Sequence, residues 1–192
     1  MPASKRAETD HPIQPFLADR WSPVSFADRD VSEEDLRSLF EAARWAASAF
    51  NEQPWRYLVA RRTDREAFAK LLSCLVEANQ AWARNAPVLW VSCARLNYAQ
   101  NGKPNGTALH DLGLAAGNIC AEATARGLVV HQMGGILPDH VRELYGVPDD
   151  AVPLTATAVG YLADELQERE RAVRTRRPQA EFVFTGAWGE AY

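Results

Sequence analysis

The sequence lacks the short motifs that identify several large enzyme classes. It has no Gly-x-Gly-x-x-Gly segment after a strand and no Walker loop, which are the phosphate-binding motifs of many dinucleotide and triphosphate enzymes. It also lacks the Gly-x-Ser-x-Gly elbow of serine hydrolases. No motif therefore indicates a nucleophilic side chain, and no catalytic side chain is predicted.

Cysteine is scarce, and the spacings typical of metal ligands are absent. Cys74, Cys93 and Cys120 lie far apart in apolar runs, which argues against a disulfide framework and against a zinc site. We interpret them as buried free thiols in a reducing cytoplasm. The adjacent His110 and Asp111 could serve a dyad or a metal, but such a pair inside a helix is more often structural. No metal is predicted.

Excess positive charge and long apolar runs are also missing. The 192 residues carry a net charge of −4 with a pI of about 5.6, which argues against a nucleic-acid or anionic-membrane partner bound through bulk charge. No apolar stretch is long enough to cross a bilayer, and the first residues lack the apolar segment of a signal peptide. We expect a cytoplasmic protein with a flexible arm over residues 1–14 and one domain over residues 15–192.

The sequence does contain a succession of helices and strands with clear boundary signals. Ser32 and Asp35 form a predicted capping box, Asp64 is a predicted N-cap, and Gly127 and Gly146 are predicted helix stops. The predicted helices cover 30–48, 64–76, 107–127 and 138–146, and the predicted strands cover 55–62, 86–94, 128–133 and 152–162. Because two long helices interrupt a strict β-α-β alternation, the pattern favours a mixed α/β or α+β sandwich.

The loop within residues 47–56 carries more polar side chains than a turn requires. Ser48, Asn51 and Gln53 precede a rigid proline and a large tryptophan, just before a predicted strand. This composition indicates either a well-capped helix end or a loop built to hold a ligand.

Three other segments could bind a ligand. Arg20, before the first long helix, offers a planar fork of donors for a phosphate, although a solvated arginine is the default interpretation. The strand end at 131–135 finishes in two glycines, which could seat a flat ligand or form a turn with positive φ. The run 169–178 holds five arginines, which is usually a solvated face and here suits a single phosphate. Together these segments suit a flat heterocycle carrying one phosphate.

Six segments, in this order and spacing, resemble the FMN-dependent nitroreductase family. They read RWS, EAARWAASAFNEQPWR, ANQAWARNAPVLWV, LHDLG, HQMGG and RTRRP, and the resemblance runs from Arg20 to the C-terminus. It implies an α+β, nitroreductase-like fold with a central, mostly antiparallel sheet wrapped by helices. It also implies a two-fold homodimer with intertwined termini, FMN at the subunit interface, and the long helix rich in glycine and alanine in the dimer core.

The resemblance further implies which residues hold FMN. Matched segment by segment, the cofactor-binding positions are Arg20, Trp21, Ser22, Ser48, Asn51, Gln53, Asn79, Gln80, Gln132, Met133, Gly134, Gly135, Arg174 and Arg176. The arginines and Ser22 would hold the phosphate and the polar edge, and the loop at 48–53 would reach the FMN bound mainly by the other subunit. The pair at 79–80 would hydrogen-bond the flavin ring, while 132–135 would line it with the Gly134 amide facing N5.

The implied activity is the reduction of nitroaromatics, quinones or similar flat, electron-poor acceptors by NAD(P)H through FMN, in a ping-pong hydride mechanism. Three places depart from the family pattern. Ala47 replaces a proline, Val24 stands where many members place a lysine or arginine near the flavin, and the segment ILPD follows the glycines where an aromatic residue is common. Three alternatives stay open. One is other flavin chemistry of the same superfamily, such as dehydrogenation, dehalogenation or flavin fragmentation, and another is a non-enzymatic FMN-binding module. The third is a helical scaffold with no ligand.

Overall fold

The protein, seen in a computed structural model that describes residues 5–192, is a four-stranded sheet enclosed by helices. The helices are α1 Pro15–Asp19, α2 Glu33–Arg44, α3 Arg65–Leu72, α4 Glu77–Ala83, α5 Ala108–Ala125 and α6 Pro138–Tyr145. The strands are β1 Trp55–Arg61, β2 Val88–Arg95, β3 Val129–Met133 and β4 Ala151–Gly160. Short 3-10 turns cover Ala49–Asn51, Glu168–Arg171 and Gln179–Glu181. Among the described residues, no helix is both long enough and apolar enough to cross a membrane.

The sheet has the strand order β1-β2-β4-β3, and every pairing in it is antiparallel. The register of β2 against β4 shifts between Ser92 and Cys93, which marks a bulge in the middle of the sheet. Within the described part of the chain, helices precede and follow the strands without a parallel β-α-β unit. The predicted α+β fold with an antiparallel central sheet is therefore confirmed.

Both faces of the sheet are covered, which explains the continuous apolar run of β2. Leu89 and Val91 pack into a core that includes residues of α3, α4 and α6, while Val88 and Trp90 pack into a core that includes residues of α2 and α5. Because successive side chains of a strand point to opposite faces, a strand between two helical layers must be apolar at nearly every position.

Several predicted boundaries are confirmed, and others need correction. Ser32 and Asp64 cap α2 and α3 through their side chains, and Gly146 ends α6 in the left-handed conformation. However, α2 ends at Arg44 rather than near residue 48, because Ser48 adopts an extended conformation and its hydroxyl accepts a hydrogen bond from the backbone amide of Gln53.

Helix α3 also ends early, at Leu72, and the sequence did not predict helices α1 and α4. The chain turns after α3 and starts α4 at Glu77, where Val76 offers no side-chain cap. Helix α1 has only five residues, so it has too few turns to show a helical period.

The first described residues contact α1 and the segment that follows β4. The Ala7 amide donates to the Ala18 carbonyl at 2.9 Å, and the Lys5 ammonium donates to the Ala172 carbonyl. Of the predicted arm over residues 1–14, the first four residues lie outside the described part of the chain. The aromatic residues of the tail are largely exposed in the single chain, with Trp188 94% and Tyr192 90% exposed.

Candidate functional site

A pocket of about 420 Å³ lies where the segment after α1, strand β3 and the C-terminal segment approach one another. Five of the predicted site residues line it, namely Arg20, Trp21, Ser22, Arg174 and Arg176. The remaining lining residues are Lys5, Val24, His131, Arg169, Glu170 and Ala172. Two motifs about 150 residues apart in sequence thus form one surface.

The pocket concentrates positive charge. The Arg174 guanidinium is half-buried and donates to the carbonyl of Lys5 at 2.6 Å and to that of Ala18 at 3.2 Å. Burial lowers the pKa of Arg174, and the nearby guanidinium groups of Arg20 and Arg176 lower it further. Cations held this close repel one another, so an anion in the pocket would relieve that repulsion.

Glu170 joins the two segments that form the pocket. Its buried carboxylate accepts hydrogen bonds from the amides of Val24 at 2.6 Å, Ser25 at 3.2 Å and Gln167 at 2.9 Å, and from the Ser25 hydroxyl. Burial raises the pKa of Glu170, but the hydrogen bonds from Ser25, Val24 and Gln167 together outweigh it and hold the pKa below the usual value. The carboxylate is therefore ionised and fully occupied by this chain.

Val24, which stands where a cation was expected, is buried at 6% exposure and belongs to the core. It contributes no charge to the pocket. Arg169, on the turn that carries Glu170, lines the same pocket and brings a guanidinium close enough to lower the pKa of His131.

His131 has its ring fixed by two contacts. Its Nδ1 lies 2.9 Å from the Pro23 carbonyl oxygen, and its ring lies against Trp82 with the centroids 4.5 Å apart. Burial lowers the pKa of His131. The segment 131–135 was considered as a whole, but His131 itself was not predicted as a site residue. Only its place at the pocket distinguishes it from other half-buried histidines.

The end of β3 holds a second group of predicted residues. The Asn79 side-chain amide donates to the Gly135 carbonyl at 3.0 Å, and that of Gln80 donates to the Leu75 carbonyl at 2.7 Å. Gln132 donates to the Cys120 thiol at 3.0 Å, and Met133 is buried. Asn79 and Gln80 thus hold backbone of their own chain, and α4 is tied to the glycine segment.

The two glycines of this segment do not form a turn with positive φ, which corrects one interpretation made from the sequence. Gly135 is instead needed for close packing, since a Cβ there would meet Val76 at 2.8 Å and the side-chain amide of Asn79. Gly134 is exposed and would have open space around a Cβ, so bare backbone is presented to the outside at this point.

The loop with Ser48, Asn51 and Gln53 forms a third group, away from the pocket. Phe50, Asn51 and Gln53 adopt φ values of 52°, 57° and 52°, a left-handed conformation that costs non-glycine residues energy. The Gln53 side-chain amide donates to the Asn51 carbonyl at 3.1 Å, and the Gln53 backbone amide donates to the Ser48 hydroxyl at 3.0 Å. The surrounding contacts must therefore hold the loop in this shape.

Two carboxylates connect the loop to other parts of the chain, one on α5 and one within the loop itself. Asp111, buried on α5, accepts from the Ala49 amide at 3.2 Å, and Glu52 accepts from the Ala99 amide at 2.8 Å. Asp111 also accepts from the Thr107 hydroxyl, while His110 is exposed. Asp111 thus has a structural role, and the residues described here contain no cluster suited to a metal ion.

Comparison with known proteins agrees with this architecture. A solved oxidoreductase containing FMN superposes with a TM-score of 0.90 at 32% identity, covering 99% of this chain and 100% of that one. A solved nitroreductase family protein from Clostridium difficile 630 superposes with a TM-score of 0.73 at 26% identity, over 90% of this chain and 96% of that one.

Sequence comparison leads to the same group of proteins. The chain is 28% identical over 172 residues to an FMN reductase (NAD(P)H) from Bacillus subtilis strain 168, a match that covers 81% of this chain and 68% of that relative. The profile described as the Nitroreductase family matches residues 17–161, most of the chain. This protein therefore belongs to the nitroreductase family.

Proposed function

We propose that this protein is an FMN-dependent NAD(P)H oxidoreductase that reduces nitroaromatics, quinones or similar flat, electron-poor acceptors by a ping-pong hydride mechanism. The observation that carries the proposal is the cation-rich pocket built from both ends of a nitroreductase-family chain. Relatives named for FMN, for NAD(P)H and for flavin oxidoreduction support it.

The residues of the pocket fit the phosphate of FMN. Arg20, Arg174 and Arg176 would bind it, because guanidinium groups match phosphate oxygens and the crowding of the three favours an anion. Ser22 would add a hydroxyl, and Trp21 an aromatic wall that the Lys5 ammonium already faces at 5.3 Å.

The flat part of the cofactor would lie toward the end of β3. Bound FMN supplies the hydride chemistry between NAD(P)H and the acceptor, so no side-chain nucleophile is needed. The exposed Gly134 would offer its amide to N5, with Gln132, Met133 and Gly135 forming the wall and Asn79 and Gln80 supporting it. The chain's own role is to bind, orient and exclude water.

The loop at 48–53 would act across a homodimer. It lies outside the pocket of its own chain, and its conformation is fixed by Asp111 and Glu52. Phe50 at its tip is 84% exposed and Trp45 is 73% exposed, and covering these large apolar side chains with another surface would be favourable. In the dimer, Ser48, Asn51 and Gln53 would reach the FMN held by the partner subunit. We also propose a cytoplasmic location, in keeping with the buried Cys74 and Cys93 thiols.

The first test is the visible absorption spectrum of the purified protein, followed without oxygen as NADPH and then NADH are added. We expect a flavin spectrum that bleaches with a nicotinamide nucleotide and returns when a quinone or nitroaromatic is added. A flavin spectrum that neither nucleotide bleaches would favour other flavin chemistry or a binding role. Protein that takes up no flavin, even after reconstitution with FMN, would contradict the proposal.

The phosphate site can be tested separately with Arg176→Ala, whose guanidinium is exposed and, among residues 5–192, donates only to its neighbour's carbonyl. Loss of a charge-assisted hydrogen bond of about 1.5–3 kcal/mol predicts at least tenfold weaker FMN binding. The matched control is Arg177→Ala, an adjacent exposed arginine outside the 420 Å³ pocket. Equal FMN affinity of both variants, measured by fluorescence quenching, would contradict this phosphate site.

A further inference from the structure

Most of the polar side chains that line the pocket are hydrogen-bond donors that cannot accept. Lysine and arginine side chains donate and cannot accept, so the cationic lining offers a ligand donors only. The one carboxylate, Glu170, already accepts four hydrogen bonds from the chain. The Ser22 oxygen already accepts from Arg20 at 3.2 Å. A ligand with an N–H or O–H to satisfy would find few acceptors here.

His131 supplies an acceptor that the chain leaves unused. A carbonyl oxygen can only accept, so the contact of 2.9 Å with Pro23 places the ring proton of a neutral His131 on Nδ1. Nε2 then carries a free lone pair, and it has no hydrogen-bond partner among residues 5–192. Because the ring also lies against Trp82, its orientation is fixed before any ligand arrives.

The surroundings of His131 favour this neutral form. Burial lowers its pKa, and so do the guanidinium groups of Arg169 and Arg20. The hydrogen bond with Pro23 and the carboxylate of Glu170 act in the opposite direction, but the net pKa lies below the usual value for histidine. A neutral imidazole with a fixed tautomer is an acceptor at Nε2, whereas a protonated one would be a further donor.

We propose that His131 contacts the cofactor and that its Nε2 accepts a hydrogen bond from an N–H or O–H of the flavin nucleotide, either the ring imide or a ribityl hydroxyl. This inference rests on the proposed function. It makes the pocket selective for a ligand that combines an anion with a hydrogen-bond donor, since the arginines bind the anion and His131 binds the donor. Inorganic phosphate would satisfy only the arginines.

Two substitutions separate the acceptor from the packing role of the ring. His131→Asn places an amide near the Nδ1 position, where it can still donate to the Pro23 carbonyl, but it has nothing at the Nε2 position. His131→Gln reaches the Nε2 position with an amide whose oxygen can accept. We expect FMN to bind about tenfold more weakly to the Asn variant, as for one lost hydrogen bond, and within about threefold of wild type to the Gln variant.

The same titrations with FMN analogues identify the donor on the ligand. N3-methyl-FMN lacks the imide proton, and the 2′-, 3′- and 4′-deoxy forms of FMN each lack one ribityl hydroxyl. One of them should bind wild type about tenfold more weakly than FMN, and this loss should disappear in His131→Asn because the partner is already gone. Losses that persist unchanged in His131→Asn would show that the ligand donor pairs elsewhere and would overturn the inference.

The outcomes distinguish this inference from the proposed function. Wild-type protein that binds no FMN would overturn both. Wild-type protein that binds FMN while the Asn and Gln variants bind it equally well, or lose affinity equally, would overturn only the role of Nε2. Thermal denaturation of the flavin-free variants shows whether any loss comes from unfolding, and the Gln variant keeps the test decisive if His131→Asn is unstable.

Discussion

Glu170 is a buried carboxylate inside a run of charged residues that would otherwise be a solvated face. It is 7% exposed, while its neighbours Arg169 and Arg171 are exposed. The hydrogen bonds that it accepts from Val24 and Ser25 connect residues 146 and 145 positions apart in sequence. The shape of the pocket therefore depends on this one side chain.

Replacing Glu170 with glutamine should destabilise the protein by about 2 kcal/mol at pH 7, because charge-assisted hydrogen bonds to buried amides are lost. The pKa of Glu170 is lower in the folded state, so its stabilisation is present above the unfolded pKa of about 4.3 and is lost as the pH falls through the folded pKa. The difference in melting temperature between wild type and Glu170→Gln should thus be large at pH 7 and shrink below about pH 4.

Glu168→Gln is the matched control, since Glu168 is exposed on the same turn. It should melt within about 1 °C of wild type at pH 7, as for a surface substitution of small effect. A Glu170→Gln variant as stable as this control at pH 7 would show that the carboxylate does not hold the two segments together.

We expect opposite results from the same substitution at the adjacent Gly134 and Gly135. Gly135→Ala should cost about 1–3 kcal/mol, because the new methyl group would displace the Asn79 amide and press on Val76. Gly134→Ala should leave stability unchanged, since its Cβ would meet open space. Denaturant unfolding of the two variants measures the contrast, and equal stabilities would mean that α4 does not pack on Gly135 as described.

At the scale of elements, the strained loop is the feature whose shape depends most on another part of the fold. Three left-handed residues within four positions store unfavourable backbone energy, and Asp111 of α5 holds the loop through the Ala49 amide. The rigid α5 thus positions a loop that carries Ser48 and Asn51.

Asp111→Ala should free this loop. We expect a loss of about 1–3 kcal/mol, since the backbone amide of Ala49 loses its acceptor, and faster hydrogen exchange over residues 48–53. His110→Ala, at the exposed neighbouring position, should change neither. Unchanged exchange in Asp111→Ala would show that the loop keeps its shape by itself.

The elements found from sequence are those whose local signals agree with the tertiary structure. Helix α5 and strand β2 have long apolar patterns, and α2 and α3 have capping side chains at Ser32 and Asp64. Helix α4 was missed because only Trp82 and Ala83 of its seven residues are buried and no side chain caps it. The early end of α2 reflects the extended conformation of Ser48 and its hydrogen bond with the Gln53 backbone amide, which together override the helix propensity of alanine.

The residues of the candidate site, like the elements of the fold, were predicted only in part. The resemblance indicated Arg20 and Arg174, and the structure brings both into one pocket. It did not indicate Glu170, because a glutamate among arginines has the pattern of a solvated surface and its burial depends on Val24 and Ser25, far away in sequence. His131 was missed for the same reason, since the contact with Pro23 appears only once the chain is folded.

At the scale of the whole molecule, the surface of α5 suggests where a second copy of the chain would pack. Leu109 and Leu114 are 46% and 39% exposed, and Gly113 and Gly117 have nothing near their Cβ positions. Positions 109, 113 and 117 share one face, because residues four apart in a helix are neighbours. Small residues on such a face allow close approach of another helix, as the proposed homodimer requires.

Gly117→Gln tests this arrangement in a way that separates dimer from monomer. Glycine is about 0.8–1 kcal/mol less favourable in a helix than alanine, and glutamine is close to alanine, so the substitution should stabilise an isolated chain. The bulky side chain should nevertheless block close packing of two α5 helices, so sedimentation should show dissociation and FMN should bind more weakly. Glu34→Gln, at an exposed position of α2, should leave the mass and affinity unchanged. A Gly117→Gln protein that stays dimeric with full flavin content would mean that the two-fold interface lies on another surface. The surface around the exposed Trp45 and Phe50 would then be the next to test.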